Sequence, residues 1–156
     1  EQVADIGCGT GLIGEELKYT KWTIDGFDIS NGMLDEARKK KCYRNLICLD
    51  LGVENDYPEE KYSAIISSGT FTLGHLGPDA LKKILSLCAY NAVCIIGINL
   101  EHFKSSGFKA TFSYLKSSGI IGNVEFVSVP IYRKLNVKND KASQANVCIF
   151  RFIGTN

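Results

Sequence analysis

The sequence predicts an α/β domain with a doubly wound, mostly parallel sheet, helices on both faces and an antiparallel hairpin at its C-terminal end. Three observations lead there. Apolar runs alternate with amphipathic stretches along most of the chain, which is the rhythm of βαβ units. The first apolar run ends in a glycine-rich turn that opens a helical pattern, and the last two runs follow each other with only a polar loop between them.

Taken in order, Val3, Ala4 and Ile6 set a strand at about 2–6, and a helix at 11–19 follows its glycine turn. A second apolar run at 23–28 leads into a helix at 31–41 that reads as N-capped. Strands come next at 45–49 and 63–67, then a helix at 78–89 and a strand at 91–98. In the helix at 105–118, Phe108, Phe112 and Leu115 fall at i, i+4 and i+7 and form one apolar face. The final strands lie near 123–130 and 145–153, with the polar loop at 136–144 between them. There is no internal repeat and no low-complexity tract, so residues 1–156 read as a single domain.

Charge and composition narrow the partners. The formal net charge is +1, and the one basic cluster, Arg38, Lys39, Lys40 and Lys41, sits where the last turn of a helix places solvated cations against the macrodipole. No long basic stripe is present to displace counterions from a nucleic acid, so no nucleic acid partner is expected. The six cysteines form no C-x-x-C pair and read as reduced thiols of the cytoplasm or nucleus. No run approaches the ~20 apolar residues of a membrane span. The chain opens at Glu1 almost inside its first strand, so it is expected to be a fragment.

The segment Asp5-Ile6-Gly7-Cys8-Gly9-Thr10-Gly11 is a strand end running into a turn with glycine at alternate positions. Missing side chains let the backbone approach a ligand, and the first N–H groups of the next helix are unpaired. Gly9, Gly11 and Gly14 also satisfy the dinucleotide pattern G-x-G-x-x-G, but that register starts three residues beyond the strand. Counted from Gly7, where the turn should begin, the sixth position is Leu12. Asp5 has no part in the dinucleotide pattern, whereas a carboxylate there suits a ligand carrying an ammonium and a sulfonium. The spacing therefore favours S-adenosylmethionine over NAD. Gly14 falls outside this loop, in the helix, where alanine would be expected to do as well.

Asp28 closes the second strand, where a carboxylate can accept hydrogen bonds from both hydroxyls of a ribose. Met33, early in the next helix, faces either the adenine side or the core. Asp50 and Leu51 follow the third strand; the carboxylate can take an adenine amino group and the backbone a ring nitrogen, or Asp50 is a turn acid.

These stretches, Asp-x-Gly-x-Gly-x-Gly at 5–11, 26–38 and Leu49-Asp50-Leu51, resemble the first three motifs of class I S-adenosylmethionine-dependent methyltransferases. The run from Ser67 to Pro78 is more particular and resembles the methyltransferase-like proteins of the Williams–Beuren region. The resemblance implies a Rossmann-like methyltransferase fold of seven strands with the last one reversed, preceded by lid helices that this chain lacks. It implies that Asp5, Gly7, Gly9 and Gly11, with Thr10 in the same loop, hold the methionine part of the cofactor. Asp28 and Ile29 would hold the ribose and its surroundings, Asp50 and Leu51 the adenine, and Ser67 the wall near the sulfonium.

A sulfonium methyl is already electrophilic, so the protein must chiefly align an acceptor with it and keep water out. A catalytic base is optional. The signatures of amino-methylating and cytosine-C5 enzymes are absent, and no acidic cluster proposes a metal. The acceptor is expected to be a small molecule, with a cofactor-binding scaffold lacking turnover as the alternative reading. His75, in the loop after the fourth strand, is either a general base or a residue that positions its loop. Glu101 and His102 follow the fifth strand, and Tyr114 and Tyr132 are further candidates for a pocket wall or for ordinary packing.

Overall fold

The computed structural model describes residues 1–53, 58–59, 61–131 and 144–154. Its strands are β1 (Gln2–Ile6), β2 (Thr23–Asp28), β3 (Asn45–Cys48), β4 (Tyr62–Phe71), β5 (Cys88–Asn99), β6 (Glu125–Pro130) and β7 (Gln144–Arg151). The helices are α1 (Leu12–Leu17), α2 (Asn31–Lys39), α3 (Pro78–Ile84), α4 (Leu100–Ser105) and α5 (Phe108–Ser117). The sheet has seven strands in the order β3-β2-β1-β4-β5-β7-β6. Strands β1 to β5 pair in parallel, and β7 runs antiparallel to both β5 and β6, so the reversed last strand and the C-terminal hairpin are both present. The order reverses between β1 and β4, and in open α/β sheets ligands bind outside the carboxyl ends of the strands at such a point.

Two expected helices differ from their sequence reading. The stretch 78–89 is helical only to Ile84; a single 3-10 turn, Leu85–Leu87, then leads straight into β5 at Cys88. The helix expected at 105–118 is two helices, because Gly107 adopts a left-handed φ of 83° that no α-helix accommodates. Asn99 opens the first of them: its Oδ1 accepts from the N–H groups of Glu101 and His102 at 3.0 and 3.1 Å, the work of an N-cap. Glu101 and His102 are thus helical, where the sequence reading made them loop residues. Strand β4 also runs to Phe71, past the expected end at 67, through an irregularity between Ser67 and Phe71. The loop expected at 136–144 and Tyr132 lie outside the described residues, apart from Gln144, which opens β7.

Phe108, Phe112 and Leu115 are buried as their spacing predicts, and Phe108 meets Phe71 edge-on at 6.0 Å while Phe112 meets Phe150 at 5.7 Å. A polar knot lies within the sheet near its β3 edge. The buried Asp25 carboxylate accepts from Arg44 through both oxygens, from Tyr62 Oη at 2.9 Å and from the Asn45 N–H at 3.0 Å. Burial would raise its pKa, but these donors more than offset it and hold the carboxyl below its ordinary value.

Candidate functional site

At the carboxyl ends of β1, β2 and β4 lies a cavity of about 650 Å³. The glycine turn forms its floor. Gly7 (φ 68°) and Cys8 both donate their N–H groups to the Phe27 carbonyl, at 2.7 and 3.0 Å, which ties the end of β1 to β2. Gly9 (φ 53°) then donates to Asp28 Oδ2 at 2.8 Å, while Asp28 Oδ1 accepts from the Ser30 N–H at 2.9 Å. Each carboxylate oxygen carries two acceptor sites, so Asp28 keeps capacity for a ligand after holding both turns. Ser30 in turn caps α2, accepting from Met33 N–H at 3.4 Å.

The three glycines of the turn are needed for different reasons. A Cβ on Gly7 would stand 1.9 Å from Thr70 Oγ1, and one on Gly11 would press on Tyr43 and Ala37. A Cβ on Gly9 would meet nothing within 4 Å: it would project into open space, where a ligand would lie. Gly14 corrects its sequence reading. Its Cβ would lie 2.4 Å from Cζ of Tyr43, so alanine is not tolerated there without moving that ring.

Tyr43 is the residue that sequence reasoning missed. Its Oη donates to Asp5 Oδ2 at 2.6 Å and accepts from the Gly14 N–H at 3.1 Å, linking the end of β1 to the first turn of α1. Asp5 is only 1% exposed and does not line the cavity. Burial pushes its carboxyl up to about 6, against the pull of the Tyr43 hydrogen bond and with some help from Asp28. Burial likewise pushes the Cys8 thiol up to about 12, reinforced by the Asp5 and Asp28 carboxylates, so Cys8 lines the cavity as a thiol.

Gly7, Gly9, Thr10, Asp28, Ile29, Met33, Asp50, Leu51 and His75 all line the cavity. Ile29 (63% exposed) and Met33 (46%) stand at its rim, so Met33 belongs to the wall and not to the core. Asp50 Oδ1 accepts from the Gly52 N–H at 2.7 Å, which shapes the turn after β3. Asp5, Gly11 and Ser67 do not reach the wall. Ser67 is buried, its hydroxyl donating to the Ile6 carbonyl at 2.8 Å. The wall it was expected to form is made by Ser68, Gly69 and Thr70, which the irregularity in β4 carries round to the cavity. The available sign was Gly69 itself, a glycine two residues past the expected strand end at 67.

The two histidines separate clearly. His75 is exposed at the cavity wall, held through its backbone N–H to the Thr72 carbonyl at 3.0 Å. His102 is buried: Nε2 lies 2.9 Å from the Leu76 carbonyl, to which it must donate, and Nδ1 lies 2.9 Å from Ser106 Oγ. It pins the loop that carries Leu76 to the cavity wall. No group of three or more metal-ligating side chains occurs among the described residues.

A family model described as a methyltransferase domain matches residues 3–92, which include the glycine turn, Asp28, the β3 turn and the core of β4. The chain belongs to the methyltransferase domain family. Human methyltransferase-like protein 27 is 27% identical over 124 residues, covering 76% of this chain and 50% of its own length. A malonyl-[acyl-carrier protein] O-methyltransferase from Priestia megaterium is 40% identical over 86 residues, 53% of this chain and 31% of the relative. An 18S rRNA (guanine-N(7))-methyltransferase from Bos taurus is 40% identical over 65 residues, 42% of this chain and 23% of the relative. The chain thus spans half or less of the length of these relatives. Among solved structures, the N-methyltransferase NodS from Bradyrhizobium japonicum, in complex with S-adenosyl-L-homocysteine, superposes with a TM-score of 0.71 at 13% identity, covering 97% of this chain and 78% of that one.

Proposed function

We propose that residues 1–156 act as one methyltransferase domain that binds S-adenosylmethionine in the cavity at the switch point and transfers its methyl group to a small-molecule acceptor. The observation that carries this reading is the Asp28 carboxylate, which joins the Gly9 and Ser30 N–H groups at the cavity wall beside the open space above Gly9. The remaining lone pairs of Asp28 suit the two ribose hydroxyls. The room above Gly9 suits the methionine part, Ile29, Met33 and Leu51 offer apolar walls to the adenine, and Asp50 stands where the adenine amino group would come. When bound, the cofactor supplies a sulfonium-activated methyl group. The chain's own residues then hold it, exclude water and present the acceptor in line. Thr10 completes the loop. Asp5 supports it from behind through Tyr43 instead of touching the ligand. His75 is the one imidazole on the wall, and its role there is to accept or orient the acceptor's proton.

A small acceptor is favoured over a nucleic acid by the state of the basic cluster. Arg38 pairs with Asp35, Lys39 with Glu36 and Lys40 with Glu15, so these cations are locally neutralised. All six cysteines are free thiols, which supports a reducing compartment, the cytoplasm or the nucleus. No described helix is long and apolar enough to cross a membrane.

Calorimetric titration of the chain with S-adenosylmethionine, S-adenosylhomocysteine and NADH tests the reading. Binding of the first two is expected. Preferential binding of NADH would replace it with the dinucleotide register.

A further inference from the structure

The amino end of β5 departs from a regular strand. Between the pairs Tyr62–Cys88 and Ala64–Val93, β4 advances by two residues and β5 by five, so β5 arches out of register at 89–92. The arch is tied to the chain at the end of β7. The Asn91 N–H donates to the Phe152 carbonyl and the Phe152 N–H to the Ala92 carbonyl, both at 2.9 Å, and Arg151 Nη1 donates to the Asn91 carbonyl at 3.0 Å. Asn91 takes a left-handed φ of 64° to make the bend, and Tyr90 beside it is 80% exposed. In an extended strand, residues six apart stand about 20 Å from each other. Here the arch folds Cys88 and Cys94 together, with their sulfurs 3.6 Å apart.

We propose that Cys88 and Cys94 form a redox-active dithiol, which hydrogen peroxide closes to a disulfide within the native fold and a thiol reductant reopens. Both residues are buried, and neither lines the cofactor cavity. Two small hydrophobes would fill the same space, but sulfurs already in contact need to move by only roughly 0.8 Å each to reach bonding distance. Their chemistry is also divided between them. The hydrogen bond to Cys88, with burial second, pushes the Cys94 thiol well above its ordinary pKa, so Cys94 keeps its proton. Cys88 is 5% exposed and Cys94 not at all, so Cys88 is the sulfur an oxidant meets first. The Cys88 thiolate attacks one peroxide oxygen and the O–O bond breaks. The departing hydroxide takes up the proton Cys88 had lost and leaves as water, and Cys88 becomes a sulfenic acid. The Cys94 sulfur then attacks the Cys88 sulfur, and the sulfur–oxygen bond breaks. The hydroxyl leaves with the Cys94 proton as a second water. Two thiols thus lose two electrons, and one hydrogen peroxide gains them. Closing the chain from 88 to 94 restricts the unfolded state, so the oxidised protein should resist urea better than the reduced one.

Peptide mapping tests this. The chain is treated with hydrogen peroxide, alkylated with N-ethylmaleimide under denaturing conditions and digested with chymotrypsin, which cuts after Tyr90, between the two cysteines. The expected result is that the fragments carrying Cys88 and Cys94 travel as one and separate on reduction with dithiothreitol. Mapping of the parent needs no variant, so it decides even where a variant fails to fold. In Cys94→Ala the resolving thiol is gone, and dimedone should trap Cys88 as its sulfenic acid roughly tenfold more than it traps Cys94 in Cys88→Ala. The urea midpoint of the parent should rise on oxidation and return on reduction, and should stay fixed in the double variant with alanine at both positions. Oxidation confined to the exposed Cys48 and the half-buried Cys42 would overturn the proposal. So would a bond from Cys94 to Cys148, which lies on β7 opposite Ile96. Preferential trapping of Cys94 would overturn the order of attack, and a midpoint that fails to rise on oxidation would show that the native arch does not accommodate the bond.

Discussion

Tyr43 explains as much of the glycine pattern as the ligand does. A Cβ on Gly11, Gly14 or Gly26 would come within 3.0, 2.4 and 3.1 Å of its ring, so three glycines are small partly to seat one phenol. Nothing in the local sequence marks this, because Tyr43 lies 38 residues from Asp5 and follows no period shared with the turn. The positions of Gly7, Gly9 and Asp28 were legible because each follows directly from a strand end. Gly14 was misread because helix propensity says nothing about what packs on the helix. Gly14→Ala should therefore cost about 1–3 kcal/mol of stability through overpacking, and much less in a Tyr43→Ala background, as urea unfolding of the four proteins of that cycle would show. Additive losses would mean that Tyr43 is not what the methyl meets. Gly9→Val is its opposite: its Cβ meets no neighbour within 4 Å, so the fold should survive the strain of a left-handed φ, about 1–2 kcal/mol or more for a β-branched residue, while S-adenosylhomocysteine binding is lost. Asp28→Ala should weaken that binding by about 1.5–3 kcal/mol, since a charged acceptor is removed from two hydroxyls and from the Gly9 N–H. A change under about threefold by calorimetry would reject the ribose assignment.

At the scale of elements, the sequence was most readable where a pattern spans several turns or a whole strand. The α5 face and the parallel core are of this kind. It was least readable where a single residue redirects the backbone: Gly107 splitting α4 from α5, the 3-10 turn before β5, and the detour of β4 at 68–70 that exchanges Ser67 for Thr70 at the glycine turn. Each is decided by tertiary contacts that a one-dimensional period does not carry. Helix α4 is six residues long, too short to be stable alone, and depends on its cap and its packing. Asn99→Ala removes the acceptor shared by two N–H groups and should cost about 1 kcal/mol, a fall of roughly 2–4 °C in Tm for a domain of this size. Because His102 sits in that first turn and holds the Leu76 carbonyl, the neighbouring amide of His75, which donates to the Thr72 carbonyl, should also lose protection from hydrogen exchange more than amides of β1 do. Unchanged exchange at His75 would show that α4 does not support the cavity wall.

Across the whole molecule, two buried carboxylates, Asp5 and Asp25, respond to pH in opposite directions and in separate windows. The folded pKa of Asp25 is lowered by Arg44, Tyr62 and the Asn45 N–H, so its contribution to stability is present above the unfolded value and is lost only as pH falls below about 4. Asp5 is the reverse. Its folded value is raised by burial from 3.8 to about 6, so between those limits the native state binds more protons than the unfolded chain does, and stability falls as pH rises. The shift corresponds to about 2–3 kcal/mol once Asp5 is fully ionised, a unit or more above its folded value of about 6. Asp5→Asn keeps an oxygen for the Tyr43 hydroxyl to donate to and removes the ionisation. Relative to the parent, the variant should therefore gain stability steadily from pH 4 to pH 7 and no further above that range. Tyr43→Phe removes the contact that, among the described residues, favours the charged Asp5, so in that variant the same loss should extend to higher pH. Urea unfolding at pH 4, 5.5 and 7 decides the matter. If the difference between parent and Asp5→Asn is constant over those three conditions, Asp5 ionises alike in the folded and unfolded chain, and the support it gives the glycine turn carries no proton linkage.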